Sequence, residues 1–240
     1  MCLIQIGSGS ASLDAHIEDG FSNFIIKKKL KKKIYIIEAN SIHIDNLKKF
    51  YSKYKNIKIF NLAISPDNTL LKKMVFFYCL NDAPNYQIFS NSKSFVTKHF
   101  PNGEIKKKTV ECLRISEFLE KNNIKNIDYL SIDIEGMDYD VLINLNLNKF
   151  KIKNISFEHL HLSFFEKIKI VYKLIKHDYY FSGMGFDLRK SDWMFKKRYN
   201  LNKLKTYLLP ITPRRIWKRY DFSSLKKNPR NFHSEGFKFF

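Results

Sequence analysis

The chain has 240 residues and a formal charge of +20, with 22 Phe, 13 Tyr and three cysteines. That length suits one domain with a full core, and the aromatic content excludes a disordered chain. Cys2, Cys79 and Cys112 are odd in number and widely spaced, which excludes a disulfide framework and favours a reducing, cytoplasmic compartment; no secretory signal is visible, and no segment approaches the ~20 apolar residues of a membrane span.

Strand and helix patterns alternate along the chain. Cys2–Ile6 reads as a first strand and Ser12–Lys29 as a helix. Ile34–Glu38 is a second buried strand, Ile42–Tyr54 a helix, and Ile57–Ile64 a third strand. Lys73–Leu80 and Lys108–Leu113 read as strands around a polar stretch, 81–107, too long for a plain connector and so a candidate lid or substrate loop. Arg114–Asn122 is a helix, Ile127–Asp133 a fourth core strand, Tyr139–Leu147 a helix and Ile152–Glu158 a fifth strand. Phe164–Lys176 is a helix, and Tyr179–Leu188 with Trp193–Lys197 a closing hairpin. Alternation of this kind predicts a parallel sheet with helices on both faces.

The chemistry gathers where strands end. Gly7-Ser8-Gly9-Ser10-Ala11 follows the first strand, and small residues there let the backbone approach a ligand. Glu38 closes the second strand, placed to accept hydrogen bonds from two ribose hydroxyls. The run Tyr129-Leu-Ser-Ile-Asp-Ile-Glu-Gly136 delivers Asp133 and Glu135 to the edge of a buried strand, where ligands bind in open α/β sheets. Asp138 and Asp140 fall in the first turn of the next helix, where Asp is also a common cap.

Four stretches resemble class I S-adenosylmethionine-dependent methyltransferases of the FkbM type. They are Ile4-Gln-Ile-Gly7, Ile36-Ile-Glu-Ala-Asn40, Asn61-Leu-Ala-Ile-Ser65, and the run Ile127–Leu142 with Ile155-Ser-Phe-Glu-His159. The resemblance implies an α/β fold with a Rossmann-like, seven-stranded methyltransferase sheet over residues 1–197, an insertion at 66–113, and a basic aromatic extension at 198–240. It implies S-adenosylmethionine as cofactor and transfer of a methyl group to a hydroxyl, with a glycan or small hydroxylated molecule as acceptor. Carried over by position, Gly7, Ser8 and Gly9 line the cofactor, Glu38 and Ala39 meet its ribose, Ala63 and Ile64 sit near the adenine, and Asp133 faces the methionine end. Ala11 stands where relatives carry a further glycine, which costs backbone freedom if that position needs positive φ.

Methyl transfer needs an aligned acceptor oxygen and a base. Asp133, Glu135 and His159 are the candidate bases, with Glu158 as a supporting partner. His159 and His161 share a side if the fifth strand runs on through them, which would bring them to the acids as a divalent-metal site; the preferred reading has no metal and leaves His161 as a loop residue. No Asn-Pro-Pro-Tyr-type motif is present, so nucleic-acid base methylation is disfavoured. The charge beyond Lys196, with Trp217 among Arg214, Arg215, Lys218 and Arg219, suits peripheral contact with an anionic membrane surface at its cytoplasmic face. Homo-oligomers are compatible with the sequence. The alternative function is a non-catalytic binding protein on the same scaffold that holds an anionic polymer.

Overall fold

The first strand, β1 (Cys2–Ile6), is buried along its whole length, as a strand covered by helices on both faces must be. The structure, a computed structural model, describes residues 1–14, 17–18, 20–28, 30–186 and 191–198. After β1 come the short strands β2 (Ser12–Asp14) and β3 (Ile17–Glu18), then α1 (Gly20–Lys27), β4 (Lys33–Glu38), α2 (Ile44–Phe50), β5 (Ile57–Asn61) and β6 (Ala63–Ser65). Next are β7 (Lys73–Cys79), β8 (Phe89–Ser90), α3 (Lys93–His99), β9 (Ile105–Arg114), α4 (Ile115–Lys121) and β10 (Asn126–Ile132). The chain continues through α5 (Asp138–Asn144), β11 (Lys151–Ile152), β12 (Asn154–Glu158), α6 (Phe164–Lys176), β13 (Tyr179–Met184) and β14 (Asp192–Lys197).

The main sheet runs β13-β14-β12-β10-β1-β4-β5, the seven-stranded path expected, with β11 pairing beside β10 as an eighth strand. Its centre is parallel, and β14 lies antiparallel to β12. The two faces of the strands feed two cores. Cys2, Ile4, Ile6, Tyr35 and Ile37 pack with Phe118 of α4, Val141 of α5 and Val171 of α6. Leu3, Ile34 and Ile36 point the other way, to Phe21 and Ile25 of α1 and Leu47 of α2. Each such aliphatic side chain, removed from water, contributes about 1.5–3 kcal/mol. Helix α6 has the bounds read from sequence because Ser163 and Glu166 form a reciprocal capping box at its start and Ile170, Val171 and Leu174 anchor one face.

Three expectations are corrected. The helix placed at Ser12–Lys29 begins at Gly20. Leu13 and Ile17 continue the four-residue spacing of Phe21 and Ile25 upstream, so periodicity alone extends the helix, but the backbone instead pairs Ser12 with Glu18 and Asp14 with Ile17. The third strand breaks after Asn61, whose side-chain amide donates to the carbonyls of Glu38 and Ala39. The chain then leaves the main sheet, and β6 pairs with β9 in a second, four-stranded sheet, β6-β9-β7-β8. The stretch 81–107 is not a loop throughout: it contains β8 and α3, the latter capped by Ser92 and anchored by buried Val96. Among the described residues no helix is long and apolar enough to cross a membrane. Beyond Arg198 the basic tail, Trp217 included, lies outside the described residues.

Candidate active site

The chain order reverses at β1: β4 and β5 are laid down on one side of it, β10 and β12 on the other. A crevice at the carboxyl ends of such strands is where open α/β sheets take ligands. Here the strand ends are drawn tightly together. The Gly7 amide donates to the carbonyl of Ile37 at 2.9 Å, and the Asp133 amide to Ile6 at 2.9 Å. Gly7 has a φ of 76°, and a β-carbon on it would fall 1.6 Å from the Asp133 carbonyl oxygen. Only glycine lets these two strand ends pass.

Glu38, buried at the end of β4, organises the glycine turn. Its Oε2 accepts from the amides of Ser8 at 2.9 Å and Gly9 at 2.8 Å, and its Oε1 from Asn40 at 2.7 Å. A carboxylate offers about four acceptor sites, so this arrangement leaves Glu38 one for a ligand hydroxyl, fewer than the two ribose hydroxyls expected from its place at the strand end. Burial pushes its carboxyl up, against the pull of the Asn40 amide, nearby His43 and the turn amides. Ala11 closes the same turn at a φ of 65°, so the position does require the left-handed region.

A cavity of about 410 Å³ opens above these residues, within the usual range for small-molecule sites. Gly7, Ser8, Gly9, Glu38, Ala39, Ala63, Ile64 and Asp133, the expected cofactor residues, all line it, as does Glu135. The insertion supplies another wall, from Asn85 to Phe89 with His99. The Tyr86 carbonyl meets Asn40 Nδ2 at 3.4 Å and His43 Nε2 at 3.2 Å, which ties this segment to the end of β4.

The acid side is dense. The Asp133 carboxyl is raised well above the ordinary range, first by burial and then by the charges of Glu158, Asp138 and Glu135. Asp138 accepts from the Ile134 amide at 3.4 Å and is pushed up to about 6 by burial, with backbone N–H bonds resisting. It therefore braces the strand-to-helix turn, and Glu135 within that turn has a φ of 49°.

His159, a candidate base, is not on the cavity wall. β12 ends at Glu158, and the chain turns so that the Leu162 amide bonds back to the His159 carbonyl. The His159 ring stacks on Trp193 at 4.5 Å, so the two histidines do not share a strand face. The turn brings His161 to the wall instead, with Nε2 3.4 Å from Glu158 and 3.8 Å from Glu135. Its ring meets Phe95 of the insertion edge-on at 4.8 Å. Burial, then His99 and Lys98, lower its pKa and favour the neutral ring. The i,i+3 spacing of Glu158 and His161 at a strand end was the signal available for this pair in the sequence.

The family model for the methyltransferase FkbM domain matches residues 9–188. The chain belongs to the FkbM methyltransferase family. The matched span holds Glu38, Asp133, Glu135, Glu158 and His161. No curated protein matches the chain significantly. Among similar solved structures is an FkbM methyltransferase from Methylobacillus flagellatus KT, 11% identical, with 81% of this chain and 42% of that one covered at a TM-score of 0.46. TrmK of M. capricolum, in complex with S-adenosyl-homocysteine, is 14% identical, with 82% and 60% covered at a TM-score of 0.37. A precorrin-6y C5,15-methyltransferase from Geobacter metallireducens GS-15 is 12% identical, with 82% and 80% covered at a TM-score of 0.40. This FkbM chain thus spans less than half the length of the first of these proteins.

Proposed function

We propose that the protein binds S-adenosylmethionine and transfers its methyl group to a hydroxyl oxygen of a saccharide or related surface-glycan precursor. The observation that supports this best is the single cavity onto which the Glu38-anchored glycine turn and the Asp133/Glu135 edge both open. The residues fit such a cofactor. Glu38 keeps one acceptor site for a ribose hydroxyl, Ala63 and Ile64 offer an apolar seat for a base, and the acid wall suits a cationic sulfonium and ammonium.

When bound, the cofactor supplies an electrophilic methyl group on sulfur. The chain's own part is to hold the acceptor oxygen in line and to remove its proton. Asp133 is the residue assigned that role: it accepts the proton as the oxygen–carbon bond forms and the carbon–sulfur pair returns to sulfur. An acid-lined wall also disfavours anionic acceptors, which agrees with a neutral sugar hydroxyl. Calorimetry with S-adenosylhomocysteine, followed by transfer of labelled methyl to a saccharide panel, tests the reading. Wild-type protein that takes up no S-adenosylhomocysteine would overturn it. Binding without transfer to any hydroxylated acceptor would leave the cofactor site and remove the acceptor class.

A further inference from the structure

The carboxylates of Glu135 and Glu158 and the imidazole of His161 each offer one ligand atom, and these three atoms lie within 4.8 Å of one another. We propose that they form a binding site for one first-row divalent cation, set in the wall of the methyl-transfer cavity. The proposal deepens the reading above, because such an ion would meet the acceptor there.

The geometry supports it. Around an ion with metal–ligand bonds of ~2.1 Å, neighbouring donors lie about 3 Å apart and opposite donors about 4.2 Å. His161 Nε2 is 3.4 Å from Glu158 Oε2 and 3.8 Å from Glu135 Oε2, so as neighbouring donors these pairs would close in by about 0.4 and 0.8 Å around an ion. Each donor comes from a separate position: the turn after β10, the end of β12 and the turn beyond it. The insertion holds two of them in place. Ser90 Oγ donates to the Glu135 carbonyl at 2.7 Å, and Phe95 supports the His161 ring.

Two carboxylates with one imidazole suit Mn²⁺, Fe²⁺ or Zn²⁺ better than a soft thiophilic ion. Three protein donors leave coordination positions open, and all three residues line the cavity. An acceptor with two neighbouring oxygens, such as a vicinal diol, is the substrate class that would fill them.

The test uses the full chain, stripped with chelator and titrated with Mn²⁺ while free Mn²⁺ is followed by electron paramagnetic resonance. One Mn²⁺ per chain is expected, with affinity at least tenfold weaker in Glu158→Gln and in His161→Ala, and with Mn²⁺ raising the Tm of the wild type only. If a variant fails to fold, loss of the His161 ring resonances on adding Mn²⁺ to the wild type supports the same assignment. No Mn²⁺ uptake by the wild type, unchanged uptake in both folded variants, or unaltered His161 resonances overturns the site. S-adenosylhomocysteine calorimetry on the same samples separates the two readings: cofactor binding without Mn²⁺ removes the metal site alone, and Mn²⁺ binding without cofactor removes the methyltransferase reading alone.

Discussion

Ser90, in the insertion, donates a 2.7 Å hydrogen bond to the main-chain carbonyl of Glu135, in the turn that follows the central strand β10. Glu135 sits at a φ of 49°, a conformation that a side-chain-bearing residue holds only where its surroundings impose it. The insertion is therefore part of the site's construction: it pins the turn that carries the acids, while Asn85–Phe89 walls the other side of the cavity.

Ser90→Ala tests that coupling. Ser90 is fully buried, and the substitution leaves the Glu135 carbonyl without this donor. A loss of about 1 kcal/mol in stability is expected. Methyl transfer should fall more than stability does, because Glu135 is released from its turn. Chemical denaturation and rate measured side by side check this; a rate unchanged beside the expected loss of stability would show that the turn holds without the insertion.

The glycine turn separates packing from ligand approach. Gly7→Ala must displace β10, since its β-carbon would meet backbone at 1.6 Å at a φ of 76°. A loss of at least about 3 kcal/mol is expected. Gly9 has a φ of 56° but nothing within 4 Å of its would-be β-carbon, so Gly9→Ala should cost only about 1 kcal/mol. Equal destabilisation of the two variants by urea denaturation would contradict this division.

Much of this was legible in the chain because the central strands are buried on both faces and so read as unbroken apolar runs. The strand-end motifs then located the cavity. Three features were not legible, each because its cause is tertiary. The end of the third strand depends on Asn61 capping the carbonyls of Glu38 and Ala39. The separation of His159 from His161 depends on a turn after Glu158 and on the Trp193 ring. Ala11 in the left-handed region looked like a liability to the turn. Its methyl is buried in the same core as Phe21, and about 0.8 kcal/mol from that burial offsets much of the roughly 1 kcal/mol of strain.

Asp138 gives the fold a pH dependence with a definite sign. Its carboxyl is raised from 3.8 to about 6, with burial as the leading cause. The folded state therefore binds the proton more tightly than the unfolded one. This contribution to stability is fully present below the unfolded value and is lost as pH rises through about 6. A shift of that size is on the order of 3 kcal/mol. Asp138→Asn should remove it, so the difference in unfolding free energy between wild type and variant should change between pH 4 and pH 7 and level off outside that window. A constant difference across the window would mean that Asp138 does not titrate as its burial implies.

Of the three candidate bases, Asp133, Glu135 and His159, the first and last differ most in where the fold places them. Asp133 lines the cavity beside the glycine turn, whereas His159 lies against Trp193 and off the wall. Asp133→Asn keeps the side chain's shape and removes its ability to take a proton. The methyl-transfer rate should drop about 10²–10⁴-fold, the usual range for a general base. S-adenosylhomocysteine affinity should stay within a few-fold, because Glu38, Ala63 and Ile64 still hold the ribose and the base. His159→Ala loses a stacked ring and should reduce stability, yet a folded sample at low temperature should keep its rate within a few-fold and keep the pH profile of the wild type. Single-turnover kinetics with labelled cofactor give both numbers without interference from product release. A 10²-fold loss in His159→Ala together with near-normal turnover in Asp133→Asn would transfer the proton-accepting role to the histidine. It would also require the turn after β12 to move when substrate binds, since the ring is otherwise held against Trp193.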